Sequence, residues 1–266
     1  MPPIDTRPCI MSITPTLSRL LGIAAPALSD APVLGEVLAA AGGRPVDKCL
    51  VFAPDALGAD LWDFHASDFA PVLAHAPLRV ALRSVVPPKT PVCFASMFTG
   101  APPAAHGITH YVRPVLSCDT WFDALLRAGK RVAIVAVRNS SMDLIFRNRP
   151  MDYFSEAYDG EVAQRTIDLV TRGEHDVVAV YQQEYDDLLH KTTPRSPECL
   201  QAMRNHVQSF LKIAAAAARG WRSFRYVLTF SPDHGAHAEP ETGRGDHSAD
   251  IHEDMDIYHC FGVWTP

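Results

Sequence analysis

The chain has 266 residues, 47% of them hydrophobic, and a formal net charge of −6. That is enough apolar material for a sizeable core, so disorder is not expected. The acidic balance excludes the broad basic field that tracks a nucleic-acid backbone, and polymeric nucleic acid is not an expected partner. Six cysteines (Cys9, Cys49, Cys93, Cys118, Cys199, Cys260), none in a CxxC pair, exclude a disulfide scaffold and fit the reduced thiols of a cytoplasmic protein.

Residues 1–30 contain no basic stretch followed by an apolar run, so they do not read as a signal peptide, and no later segment is apolar enough to suggest a membrane span. A soluble cytoplasmic protein is expected. Residues 1–30 read as a loosely attached N-terminal extension with an extended, proline-rich start, and residues 31–266 as one catalytic domain, because no linker or internal repeat divides them. Runs rich in Val, Ile and Leu predict strands at Lys48 to Ala53, Leu78 to Val85, Arg131 to Val137, Asp176 to Tyr181, Arg225 to Phe230 and His259 to Trp264. Amphipathic stretches predict helices from Asp119 as N-cap to Gly129 as C-cap, over Gly160 to Arg172, and over Pro197 to Gly220. The alternation predicts an α/β fold: a mostly parallel central sheet with helices on both faces.

Ligands of such sheets gather beyond the carboxyl ends of the strands. Four polar clusters fall there. Asp55 follows the first strand in Pro-Asp-Ala-Leu-Gly, where a turn or N-cap role is the bland alternative. Thr90 precedes Pro91, a pairing that suits the first turn of a helix, and a hydroxyl there also meets the dipole and free N–H groups that hold phosphate. Asp186 and His190, four residues apart, share one helical face and can grip one ion. Asp233-His234-Gly235 ends the strand Tyr-Val-Leu-Thr-Phe, and His247 follows after twelve intervening residues. An ionised carboxylate and an imidazole at a buried strand end need partners. Together Asp55, Thr90, Asp186, His190, Asp233, His234 and His247 supply one hydroxyl, three carboxylates and three imidazoles, a set that suits zinc best, with manganese or iron as alternatives.

These clusters, in this order, resemble the alkaline phosphatase superfamily. The run from Thr90 through Thr99-Gly100 and Pro103 to His106-Gly107-Ile108 is similar to its type I phosphodiesterase/nucleotide pyrophosphatase branch. The resemblance covers most of the chain from Lys48 onward. It implies that Thr90 is the nucleophile, that Asp55, Asp233 and His234 hold one divalent metal, and that Asp186, His190 and His247 hold the other. It also implies a small phosphorylated substrate and hydrolysis of phosphodiesters or nucleotide pyrophosphates through a covalent threonine intermediate. A phosphomonoesterase, a phosphotransferase and a metal-binding protein without turnover are the alternatives. A sulfatase is disfavoured, because Thr90-Pro91-Val92-Cys93 lacks that group's modifiable residue and following Pro/Arg pattern.

The sequence departs from the family pattern in Pro-Asp-Ala-Leu-Gly, in Asp186-Asp187-Leu188-Leu189-His190, and in the short stretch from His234 to His247, where relatives usually carry an insertion that caps the site. A minimal core without a large cap is therefore expected. Lys89, Arg113, Arg138 and Asn139 are candidate substrate contacts. His237, Glu239, His252 and His259 are candidate supports of a metal ligand.

Overall fold

The computed structural model describes residues 7–266. Its central sheet has seven strands in the order β2-β9-β6-β1-β5-β3-β4. In chain order these are β1 (Lys48–Pro54), β2 (Leu78–Arg83), β3 (Val132–Val137), β4 (Asp152–Glu156), β5 (Val177–Gln182), β6 (Tyr226–Phe230) and β9 (Asp256–Trp264); a separate two-stranded ribbon pairs β7 (His237–Ala238) with β8 (Gly245–Asp246). The strands β6, β1, β5, β3 and β4 are mutually parallel, while β9 runs antiparallel to both β6 and β2. The expected mostly parallel sheet is present.

Both faces of the sheet are covered, which is why β1 reads as an unbroken apolar run rather than an alternation. Cys49, Val51 and Ala53 pack on one side, in the same cluster as Ile13, Leu17, Phe94 and Phe98. Leu50 and Phe52 pack on the other, with Met203, Val207, Phe210 and Ala214 of the helix Pro197–Gly220. Every residue of the helix Thr90–Thr99 is buried, and Gly100 ends it at φ 69°, the left-handed state that glycine adopts at low cost.

Three expectations change. The strand β4 carries no long apolar run: it has five residues, is partly exposed, and pairs only with β3 at the sheet edge. The helix expected from Asp119 begins one residue later. Thr120 is the N-cap, in a capping box with Asp123, and Asp119 instead accepts from Arg127 and from the Ala27 amide. The N-terminal segment is not loosely attached: Ile10, Ile13 and Leu17 have no exposed surface, and the Thr14 hydroxyl donates to the Met97 carbonyl at 2.6 Å. Its expected extended start falls on residues 1–6, outside the described residues. Among the described residues no helix is long and apolar enough to cross a membrane.

Since Leu17 packs beneath the Thr90–Thr99 helix, Leu17→Ala should cost about 2–5 kcal/mol of stability. Urea denaturation reads this as a lower midpoint at constant m. A loss below about 0.5 kcal/mol would return the segment to the periphery.

Candidate active site

Parallel strands deliver the polar residues to one edge. Asp55 follows β1, Asp186 sits in the helix Glu184–Leu189 that follows β5, and Asp233 and His234 lie beyond β6. Thr90 opens the helix Thr90–Thr99 beside them. All seven residues expected from the sequence meet here: beside Thr90, the other six form two groups, Asp55, Asp233 and His234, and Asp186, His190 and His247, each with ligand atoms within 4.8 Å of one another. The rings of His234 and His247 stack at 4.0 Å between centroids and join the groups.

The tautomers of the three histidines follow from their neighbours. Nδ1 of His234 lies 3.0 Å from the Gly235 carbonyl, Nδ1 of His190 lies 3.0 Å from the Gly245 carbonyl, and Nδ1 of His247 lies 2.8 Å from the Pro88 carbonyl. A carbonyl only accepts, so each Nδ1 carries the proton and each neutral ring turns a bare Nε2 lone pair inward. Those lone pairs face other acceptors. His234 Nε2 is 3.4 Å from both Asp55 Oδ1 and Asp233 Oδ2. His190 Nε2 and His247 Nε2 are 3.0 Å apart, and Asp186 Oδ1 lies 3.5 Å and 3.2 Å from them. Asp55 Oδ1, Asp186 Oδ1 and Asp233 Oδ2 are buried and accept no hydrogen bond among the described residues.

Such a gathering of acceptors is costly unless positive charge sits among them. The carboxyl groups register the strain. Burial, reinforced by Asp233 and Asp186, pushes Asp55 well above the usual carboxylate range, and burial chiefly pushes Asp233 up to about 7. Asp186 goes the other way: its burial opposes ionisation, but the neighbouring His247, whose ring gains a second proton more readily beside this carboxylate, outweighs it and holds the group low. Burial drives His234 well below its ordinary value, whereas Asp186 outweighs burial at His247 and raises it. The donor set of carboxylate oxygens and imidazole nitrogens, with each Nδ1 held by a carbonyl, fits two divalent cations.

The Thr90 hydroxyl lies 3.5 Å from Asp55 Oδ2 and 3.4 Å from His234 Nε2. Pro91 has no N–H and the amides of Val92 and Cys93 are bonded to the Lys89 carbonyl, so Thr90's own N–H is the first-turn amide left without a partner among the described residues. Fewer amides are therefore free at this helix start than expected. Tyr181, at the end of β5, donates its hydroxyl to Asp55 Oδ2. A cavity of about 120 Å³ adjoins these groups, lined by Thr90, Asp55, Asp186, Tyr111, Arg113, Arg138 and Asn139 among others.

Asp187 is turned elsewhere, accepting from the Tyr158 hydroxyl at 2.8 Å and from Gln183 Nε2 at 3.1 Å. Lys89 pairs with Asp246 at 3.5 Å. His237 and Glu239 form a third, shallower group with Asp246, in which His237 Nδ1 meets Asp254 at 2.7 Å; His252 is largely exposed beside Glu253. None of these three candidate supports bonds to one of the seven residues. His259 does serve the site loop, since its Nε2 donates to the Pro232 carbonyl at 2.7 Å.

A buried relay escaped the sequence reading. Asp159 accepts the amides of Gln183 and Glu184, both at 2.9 Å, and His206 Nε2 accepts the amide of Tyr185 at 3.2 Å. His206 Nδ1 therefore donates to Gln182 Oε1, and Gln182 Nε2 donates to the Asp159 carbonyl at 2.7 Å. The orphan amides that start the Asp186 helix are thereby satisfied by two other helices. No sequence spacing links these residues, so only the fold reveals them.

A family model described as type I phosphodiesterase/nucleotide pyrophosphatase matches residues 49–262. The chain belongs to this family. No curated protein sequence matches it well enough to count as a relative. Among solved structures, phosphonoacetate hydrolase from Sinorhizobium meliloti 1021 in complex with phosphonoformate shares 18% identity at a TM-score of 0.56, covering 75% of this chain and 59% of that one. An inactive murine ectonucleotide pyrophosphatase/phosphodiesterase 5 in complex with AMP shares 17% identity at a TM-score of 0.55, covering 73% and 59%. The human form of the latter gives 17% identity at a TM-score of 0.55, with 73% and 58% covered. These likenesses establish an alkaline phosphatase-like α/β core. The chain matches about three fifths of the length of each of these structures.

Burial holds His259 neutral, with its pKa pushed down to about 4 although its bond to Pro232 opposes the shift. The unfolded ring titrates near 6.5, so between those values the unfolded chain binds more protons and stability falls as pH falls. The whole window is worth about 3 kcal/mol. His259→Gln keeps a donor for Pro232 and should flatten the stability profile between pH 6.5 and 4. Parallel profiles from denaturation at several pH values would refute the assignment.

Proposed function

We propose that the chain is a metal-dependent hydrolase of phosphodiesters or nucleotide pyrophosphates, with Thr90 as nucleophile and Asp55, Asp233, His234, Asp186, His190 and His247 as ligands of two divalent cations. The observation that carries this reading is the pair of inward-facing acceptor groups on either side of the His234–His247 stack, with the Thr90 hydroxyl within 3.5 Å of Asp55 and His234. Zinc is the proposed ion, because mixed imidazole and carboxylate ligands suit it. Relatives are named in complex with phosphonoformate and with AMP, whose shared chemistry is a tetrahedral phosphorus oxyanion, and a small phosphorylated substrate is proposed here on that ground.

Bound cations would lower the pKa of the Thr90 hydroxyl and stabilise charge on the leaving oxygen. The rest is the work of the chain. Thr90 sits at a helix N-terminus, where its unpartnered N–H and the dipole favour a negative oxygen. Tyr181 fixes Asp55 from behind, and the carbonyls of Gly235, Gly245 and Pro88 fix the rings of His234, His190 and His247. In the first step the Thr90 Oγ1–P bond forms as the bond to the leaving oxygen breaks; the hydroxyl proton passes to solvent, and solvent protonates the leaving oxygen. Water then cleaves the threonyl ester and restores the hydroxyl. The order is ping-pong.

Zinc-loaded protein should cleave an aryl phosphodiester, lose that activity in EDTA and regain it with Zn²⁺. Thr90→Ala should lose turnover by at least about a hundredfold while metal analysis still finds two equivalents. The double variant His190→Ala/His247→Ala should retain about one. Full turnover in Thr90→Ala would remove the nucleophile, and two equivalents in the double variant would remove the second ion site.

A further inference from the structure

The cavity beside Thr90 has charge that the proposed chemistry does not use. Arg113, from the loop after His106-Gly107-Ile108, and Arg138, just beyond β3, come from separate segments yet line the same space as Thr90 and Asp186. Both are held by backbone. Arg113 donates Nη1 to the Asn139 carbonyl and lies 5.9 Å from the Tyr111 ring, while Arg138 donates Nη2 to the Ser155 carbonyl at 3.3 Å. The anchor of Arg113 is itself fixed, for Asn139 holds φ at 62°, a state asparagine tolerates, and donates its N–H to Asp143 at 2.9 Å.

Each guanidinium has five N–H donors and spends one on these contacts. No ion pair joins either to a carboxylate among the described residues, although Asp187 lines the same cavity and is taken up by Tyr158 and Gln183. Two anchored forks with spare donors are suited to the planar oxygens of a carboxylate or to a phosphoryl group. Both arginines and Thr90 line one cleft of about 120 Å³, which places a second anion close to the reacting phosphorus.

We infer that Arg113 and Arg138 bind a second anionic group of the substrate, and that the substrate is a small phosphorus oxyanion carrying a carboxylate or another phosphoryl group a few bonds from the reacting phosphorus. This rests on the hydrolase reading for the Thr90 end of the cavity. The arginines then set specificity by charge and fork geometry, and take no part in the bond exchange.

Binding separates the two claims. Phosphonoacetate and methylphosphonate share the phosphonate and differ by a carboxylate, and calorimetric titration of the zinc-loaded protein compares them directly. Phosphonoacetate should bind about tenfold tighter, and the ratio should fall to about one in Arg113→Met/Arg138→Met. Arg113→Lys/Arg138→Lys keeps the charge without the fork and should give an intermediate ratio, with circular dichroism verifying the fold of each variant. Methylenediphosphonate in place of phosphonoacetate distinguishes the two anions: a larger gain over methylphosphonate assigns a phosphoryl group, and a smaller gain a carboxylate. A ratio near one in the unaltered protein, or an unchanged ratio in the methionine variant, overturns the inference. Absence of aryl diester turnover in the unaltered protein would count against hydrolysis, and the binding ratio would still judge the arginines.

Discussion

The constraint on which the site depends is electrostatic. Three bare Nε2 lone pairs and three buried carboxylate oxygens point toward one another with nothing among the described residues to separate them. Protons could relieve part of this, and the raised groups Asp55 and Asp233 show the tendency. Each Nδ1 proton, however, is committed to a carbonyl, so a proton on Nε2 would leave an imidazolium, and at His234 and His247 that charge would be buried. Divalent cations relieve the same repulsion without that cost. The carbonyls of Gly235, Gly245 and Pro88 thus decide which atom each ring presents.

The sheet makes such an arrangement affordable by burying apolar surface on both sides and concentrating polar groups beyond the strand ends. Phe52, Phe210 and Phe230 pack against each other at 5.4–5.7 Å on one face, and Phe94, Phe98 and Trp121 occupy the other. Tyr181 belongs to both regimes. Its ring meets Phe94 edge-on at 5.2 Å, while its hydroxyl holds Asp55. The core therefore sets the position of a proposed ligand directly.

How much of this was legible in the sequence depends on the range of the interaction that fixes each part. Strands such as β1 and β5 announce themselves because both faces are buried and the run is apolar throughout. The gathering of the seven candidate residues was legible because Asp55, Asp233 and His234 follow strands, Thr90 starts a helix and His190 lies one helical turn beyond Asp186, and because the order of clusters is similar to a known family. The strand β4 was not, since an edge strand with exposed polar residues leaves no apolar run. Nor was the relay of Asp159, Gln182 and His206, whose members touch only after two helices dock on the sheet. The segment from Ile10 to Leu21 was misjudged for a related reason: proline and threonine diluted a stripe of apolar residues whose burial only the tertiary structure reveals.

The short path from His234 to His247 is held by close backbone contact. The chain leaves the site at Gly235, turns through the ribbon of β7 and β8, and returns at Gly245. A Cβ on Gly235 would lie 2.0 Å from the Glu253 carbonyl oxygen, and one on Gly245 would lie 2.7 Å from the Leu189 carbonyl oxygen and 2.5 Å from its side chain. Both contacts exclude any side chain. The return strand is consequently pressed against the end of the Asp186 helix, where the Gly245 amide donates to Thr192 and its carbonyl accepts from His190. One backbone residue thereby orients His190 and sets the point from which, two residues on, His247 reaches back to stack on His234. The second group of acceptors is thus registered to the first through the ribbon as well as through the sheet.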